Sequence, residues 1–370
     1  MILLKRVLIA VAFLGVLTFS CCVGDKSGIP ASQSTAPAAT QNAPKSYSFE
    51  SPKANQTFSP GAKLDIKVKH SGNEAPADSI VFYIDGIKSS AIVGSETATS
   101  ANSEFMSPGI RRLKMTAFFG GGKTESLSIP LRFVSDILPK PYTYQVVGSF
   151  PHDTRAYTQG FEYNNGFFLE GTGQYGESSL RKTLPGTGDI IKFRNLSSDL
   201  FGEGITLLNG KIYQLTYRSQ VGFIYDAESF EQLQKFFYQN REGWGLCNNG
   251  SELIMSDGTH MLYFIDPQYF SVNRKIEVYD NVSEVDSLNE LEFINGTIYA
   301  NRYMTDEIVM IDPATGKVIG RADMRGLLKP EDRHSRIDVL NGIAWDREQK
   351  RLFVTGKYWP KIYRVELVEK

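Results

Sequence analysis

From residue 142 to the C-terminus the apolar positions fall in short runs that recur in a fixed frame. Five anchors open the units: Tyr157-Thr158-Gln159-Gly160, Phe201-Gly202-Glu203-Gly204, Glu242-Gly243-Trp244-Gly245, Ser287-Leu288-Asn289-Glu290 and Val339-Leu340-Asn341-Gly342. Their last residues lie 44, 41, 45 and 52 positions apart. An apolar strand follows each anchor, then a turn such as Asn165-Gly166, Asn209-Gly210, Asn249-Gly250 or Asn295-Gly296, then a second strand. Asn-Gly is a strong hairpin signal because both residues tolerate positive φ. A third strand ends in an apolar run closed by Asp226, Asp266 or Asp312, and the last unit ends with Glu366 instead. Short strands repeating every 40 to 50 residues or so have the period of a four-stranded blade. The pattern predicts an all-β chain with a five-bladed β-propeller over residues 142–370.

Residues 47–135 carry a different rhythm. Leu64, Ile66 and Val68 alternate onto one face, and further runs cover 81–84, 113–118 and 127–133, with Asp85-Gly86 and Gly120-Gly121-Gly122 as turns. This predicts a small immunoglobulin-like β-sandwich. Gly122-Lys123-Thr124 is read as a hairpin turn, since a phosphate-binding loop needs glycine where Ala117 stands. Residues 137–141, Ile-Leu-Pro-Lys-Pro, read as a stiff linker.

The N-terminus has the layout of an export signal over residues 1–21: Lys5 and Arg6, an apolar run to Phe19, then Ser20 and Cys21. The run is too short to span a bilayer as a helix. Cys21 matches the lipidated cysteine of bacterial lipoproteins, with Thr18 where leucine is usual. Residues 22–46, poor in large apolar side chains, read as a flexible tether. The expectation is an exported lipoprotein, periplasmic or at the cell surface, held to the membrane by a lipid anchor and monomeric.

Charge and cysteine content narrow the chemistry. Forty Lys and Arg against 41 Asp and Glu, of mixed sign throughout, leave no footprint for nucleic acid. Cys247 is the one cysteine outside the N-terminal pair, so neither a disulfide nor a cysteine-rich zinc site is expected in the body of the chain; it reads as a small buried hydrophobe. The His152-Asp153 pair reads as a hydrogen-bonded loop rather than half of a catalytic triad.

Alone, Phe201-Gly202-Glu203-Gly204 reads as a loop with a solvated glutamate. In the repeat frame, the residue before the end of each anchor should approach a common axis, which gathers Gln159, Glu203, Trp244, Asn289 and Asn341. A second ring, 13 to 15 residues after the anchors, adds Tyr217, Tyr303 and Lys357. Repeat maintenance would account for Asn341. It accounts poorly for Glu203 and Lys357, since a packing motif would repeat its residue type.

These motifs, together with Glu170-Gly171-Thr172-Gly173 and Thr355-Gly356-Lys357-Tyr358-Trp359-Pro360, resemble those of the plant and bacterial glutaminyl cyclases (glutamine cyclotransferases), over about Pro151 to Leu367. The resemblance implies a five-bladed propeller that converts N-terminal glutamine of peptides or proteins to pyroglutamate with loss of ammonia. It implies catalytic roles for Glu203, Lys357, Asn289 and Gln159, and substrate-binding roles for Tyr157, Phe201, Tyr217, Trp244 and Tyr303. Tyr157 replaces a common phenylalanine, and Tyr217 and Tyr303 replace tryptophans, so the pocket keeps its rings but changes width and gains hydroxyls. No cofactor is implied; some plant relatives carry an axial calcium, for which no ligands can be assigned here. The competing readings are a non-catalytic surface propeller that binds peptide ends or glycans, and a metal-dependent propeller hydrolase, for which the axis offers only Glu203 and Glu290 as carboxylates.

Overall fold

The computed structural model describes residues 46–71 and 75–370. The signal segment, Cys21 and all of the tether before residue 46 lie outside them.

Two sheets enclose the first core. One has three strands, Tyr47–Ser51, Leu64–His70 and Ala98–Ala101. The other has five, in the order Thr57–Phe58, Thr124–Phe133, Gly109–Phe118, Ser79–Ile84 and Ile87–Val93. Period-2 alternation turns Leu64, Ile66 and Val68 inward, where they meet Ile80, Phe82, Ile84, Leu113, Met115 and Phe133. Gly120–Gly122 forms the tight connection between two paired strands, as the hairpin reading requires.

The remaining strands form three four-stranded antiparallel sheets and one eight-stranded sheet. Each of the three smaller sheets begins with an inner strand, Thr158–Asn164, Gly202–Leu208 or Leu246–Asn248, and runs outward in chain order. The inner strands Leu288–Ile294 and Leu340–Asp346 lie at the two ends of the eight-stranded sheet. Each of the five inner strands packs against at least two others, and these contacts link the five in a ring. Burial follows this order: Gly202–Leu208 is almost wholly buried, whereas the outermost strand of the same sheet, Gln232–Phe237, is exposed at five of six positions.

The turns carry the sequence signature. Asn165-Gly166, Asn209-Gly210 and Asn295-Gly296 have positive φ at both residues, the conformation whose twist matches an antiparallel hairpin. At Asn249-Gly250 only Gly250 does. There the Asn249 side chain accepts the backbone N–H of Ser251 and Glu252 instead. The aspartates that close each third strand cap the bend to the outer strand: Asp266 Oδ1 accepts the N–H of Gln268 and Tyr269, both at 2.8 Å.

Two expectations need correction. Lys140 and Pro141 are not linker but the start of a strand, Lys140–Pro151. It pairs in parallel with Gly320–Ala322 and then antiparallel along Lys361–Glu369, so residues that precede the first repeat supply the outermost strand beside the last. Both prolines sit at the ends of the strand, where a missing N–H costs least. The second correction concerns His152 and Asp153, which face different partners. Asp153 takes Arg155 and Arg181. His152 is buried, with Nδ1 2.7 Å from the Trp359 carbonyl and Nε2 2.9 Å from Glu170 Oε1.

Both of these neighbours accept hydrogen bonds, which favours the imidazolium with a proton on each nitrogen. Burial works against its charge, yet the Glu170 carboxylate raises His152 above its ordinary value, and the imidazolium in turn holds Glu170 low against its own burial. The His152 contribution to stability is therefore complete below about pH 6.5 and lost as pH rises through its raised value. The Glu170 contribution is present above about pH 4.3 and lost as pH falls. Removing one partner strands the other, so His152→Ala should cost about 3 kcal/mol, read as a lowered denaturant midpoint at pH 6. A midpoint equal to wild type would show that the pair does not hold the ring closure.

Candidate active site

Four of the five inner strands open with a break in register. Pairing slips between Thr158 and Gly160, between Gly202 and Ile205, between Leu288 and Leu291, and between Leu340 and Ile343. An extra residue in one strand bends it and re-aims a side chain. The residues inside these slips are Gln159, Glu203 with Gly204, Asn289 with Glu290, and Asn341 with Gly342. The repeated anchor is thus a repeated bulge, and the variable residue within it is turned out of the ladder toward the axis.

The glycines close to these bulges have a steric cause. A Cβ on Gly204 would lie 2.5 Å from Leu246 N and 2.6 Å from the Trp244 carbonyl, and one on Gly245 would lie 1.9 Å from the Asn289 carbonyl. Neighbouring inner strands touch there: the Gly204 N–H donates to the Trp244 carbonyl at 2.8 Å. Any side chain would push two sheets apart.

Tyr157, Gln159, Phe201, Glu203, Tyr217, Trp244, Asn289, Tyr303 and Lys357 line one cavity of about 230 Å³, joined by Gln174. All nine residues expected from the sequence are therefore brought together. Tyr217, Tyr303 and Lys357 stand one residue past the second strands, not on them. Gln174 was missed. It sits at φ 86° on the loop after Phe167–Thr172, and the signal was the Glu170-Gly171-Thr172-Gly173 run leading straight into it.

Glu203 is 3% exposed. Its Oε1 accepts the Gln159 carboxamide Nε2 at 2.9 Å. Asn341 orients that carboxamide from behind, its Nδ2 donating to Gln159 Oε1 at 3.3 Å and to the Thr158 carbonyl at 2.9 Å. Asn341 therefore supports the site without lining it. Among the described residues Glu203 Oε2 and Asn289 Oδ1 have no hydrogen-bond partner. Burial pushes the Glu203 carboxyl well above the usual carboxylate range; Lys357 opposes this and the Glu242 charge adds to it.

Lys357 is 2% exposed, and burial lowers its ammonium to about 8 against the pull of Glu203 and Asp338. Its Nζ lies 4.6 Å from the Tyr157 ring centre and 5.0 Å from that of Tyr303, within cation–π range. Tyr157 meets Phe201 edge-on at 6.0 Å, Phe201 lies 5.7 Å from Tyr217, and Trp244 meets Tyr303 edge-on at 5.4 Å. The cavity thus holds one carboxylate of high proton affinity, one ammonium poised near neutrality, and an aromatic wall that limits water.

The second axial carboxylate is engaged elsewhere. Glu290 accepts the Phe161 N–H at 3.1 Å through one oxygen and the Ile343 N–H at 2.8 Å through the other, tying three inner strands. Among the described residues no three His, Cys, Asp or Glu side chains gather as a metal site.

Known proteins are similar to this chain. The sequence model of a family described as glutamine cyclotransferase matches residues 126–367. It reaches further toward the N-terminus than the motifs do and takes in the strand Lys140–Pro151. A glutaminyl-peptide cyclotransferase from Arabidopsis thaliana is 44% identical over 228 residues, covering 60% of this chain and 71% of its own. The crystal structure of Myxococcus xanthus glutaminyl cyclase is 32% identical, covers 63% of this chain and 99% of its own, and superposes with a TM-score of 0.58.

Proposed function

The chain belongs to the glutamine cyclotransferase family, and from that premise we propose that it cyclises N-terminal glutamine of peptides or proteins to pyroglutamate, releasing ammonia. The observation that carries the reading is the buried Glu203, with one oxygen spent on Gln159 and the other, Oε2, free in the cavity that also holds Lys357 and Asn289. The finer architecture is part of the same proposal. Five inner strands in a closed ring, each leading to outer strands, support a five-bladed β-propeller over 142–370, closed by the strand from Lys140. The two-sheet core of 47–135 supports an immunoglobulin-like sandwich.

The chemistry is an intramolecular acyl transfer. The substrate α-amine attacks the carbon of its own side-chain carboxamide, a C–N bond forms, and the bond to the amide nitrogen breaks. Folding the glutamine back on itself converts this into a positioned five-membered closure. The free α-amine has a pKa near 8, so it needs an acceptor before it can attack. Solvent takes the proton of the ammonium form; as the neutral amine attacks, Glu203 Oε2 takes the second proton its nitrogen must shed and returns it to the leaving nitrogen, which departs as ammonia. Asn289 Oδ1, an acceptor without a partner, suits a second N–H of the amine. Lys357 donates to the carboxamide oxygen as negative charge gathers there. The aromatic wall keeps water from competing with the amine. The one proton that moves from the attacking to the leaving nitrogen has a protein carrier, and we propose that the reaction needs no cofactor.

The test is direct. The purified chain, dialysed against a chelator, is incubated with a Gln-initiated peptide, and ammonia and loss of about 17 Da are followed, the mass change of this acyl transfer. Product above the spontaneous rate is expected. Its absence would leave a peptide-end binding protein as the surviving alternative.

A further inference from the structure

Glu242 does not line the cavity, yet Trp244 and Arg218 both bond to its carboxylate and Tyr217 lies against Arg218. Oε2 accepts the Trp244 indole N–H at 3.0 Å, and Oε1 accepts Arg218 Nε at 2.8 Å. The Arg218 guanidinium lies 4.5 Å from the Tyr217 ring centre. The Glu242 charge also acts on the Tyr217 hydroxyl, adding to burial in raising the phenol's pKa. Tyr217 follows a strand of the second four-stranded sheet, whereas Glu242 and Trp244 enter the third. The Gly243 N–H donates to the Tyr217 carbonyl at 2.9 Å and joins the two loops. On its other side the indole rests on Gly258, where a Cβ would come 2.6 Å from the ring.

We propose that Glu242 is a positioning residue for the cyclisation: one carboxylate fixes the Trp244 indole and the Tyr217 ring as adjoining walls of the cavity. The proposal rests on the cyclotransferase reading; Glu242 holds the indole directly and the Tyr217 ring through the Arg218 guanidinium. Glu242 also acts at a distance. The titratable groups around Glu203 are Lys357, Glu242, Tyr157, Tyr217, Tyr238 and Tyr303. Burial holds all four phenols above their ordinary value, so in the neutral range the fields that act on Glu203 are those of Lys357 and Glu242, and they have opposite signs. Glu242 therefore favours the protonated form of the base.

Shape and charge are separable by substitution. Glu242→Gln should lower kcat/KM about tenfold, the scale of a small displacement of a positioned group, and move the acid limb of the pH–rate profile to lower pH. Glu242→Asp keeps the charge and loses the reach, so it should restore the acid limb while KM stays raised. Tyr217→Phe removes the oxygen on which the Glu242 charge acts and leaves Glu242 in place. It should raise KM in the wild-type background and have little further effect in the Glu242→Gln background. Independent, multiplicative effects of the two substitutions would overturn the proposal, as would a Glu242→Gln enzyme with wild-type kinetics and pH profile. No turnover by the wild-type chain would instead remove the cyclotransferase reading and this proposal with it.

Discussion

Glu203→Gln should lower kcat on a Gln-initiated peptide about 10³-fold, within the range lost with a general acid–base group and equal to about 4 kcal/mol of transition-state stabilisation. The substitution keeps shape and one hydrogen bond, since the new side-chain oxygen can still accept from Gln159. What it removes is the oxygen that takes the amine proton. Stability should move the other way. Because burial raises Glu203 in the folded state, its share of stability is complete below about pH 4.3 and lost as pH rises through the raised value. An amide has no such loss, so thermal unfolding at pH 8 should give Glu203→Gln a melting temperature at or above wild type. A fallen melting temperature with a fallen kcat would mean that the carboxylate is structural. A retained kcat would remove the proton shuttle.

Much of this site was legible in the sequence because a bulge leaves a periodic trace. The close approach of neighbouring strands demands glycine at Gly160, Gly204 and Gly245, and the residue inserted beside it is free to vary, so a fixed frame with a changing polar member marks an axis. The same logic explains the Asp266 and Asp312 signatures, which are local caps set by residues two and three positions on. What stayed hidden depends on partners far apart in sequence. Nothing local in 140–151 says that it will lie along Lys361–Glu369, more than 200 residues later, and its flanking prolines suggest a linker. His152 and Glu170 are 18 residues apart on different elements, and neither looks unusual alone. Glu242 was visible as the first residue of an anchor. Its role was not, because it depends on the guanidinium of the neighbouring loop, which also meets the Tyr217 ring.

Lys357→Met should separate catalysis from stability most clearly. The ammonium is 2% exposed and sits among Tyr157, Tyr303 and Glu203, so the fold bears the cost of burying it. A lysine whose folded pKa is depressed contributes its full stability only above about pH 10.4, and that contribution is lost as pH falls through about 8. At neutral pH it is therefore a liability. Methionine fills the volume of the aliphatic stem without charge, and replacing buried ionic groups with well-packed apolar ones is often neutral or stabilising. Denaturant midpoints at pH 7 should thus be equal to or above wild type. Activity should fall about 10²-fold, the cost of removing one donor to a developing oxyanion. The pH profile adds a sign that a packing role would not. In the wild type kcat should decline as pH rises through about 8, where Lys357 gives up its proton, and that alkaline limb should vanish in Lys357→Met, leaving only the rise governed by Glu203 and the substrate amine. An unchanged alkaline limb in the variant would assign it to another group and leave Lys357 as a wall of the cavity.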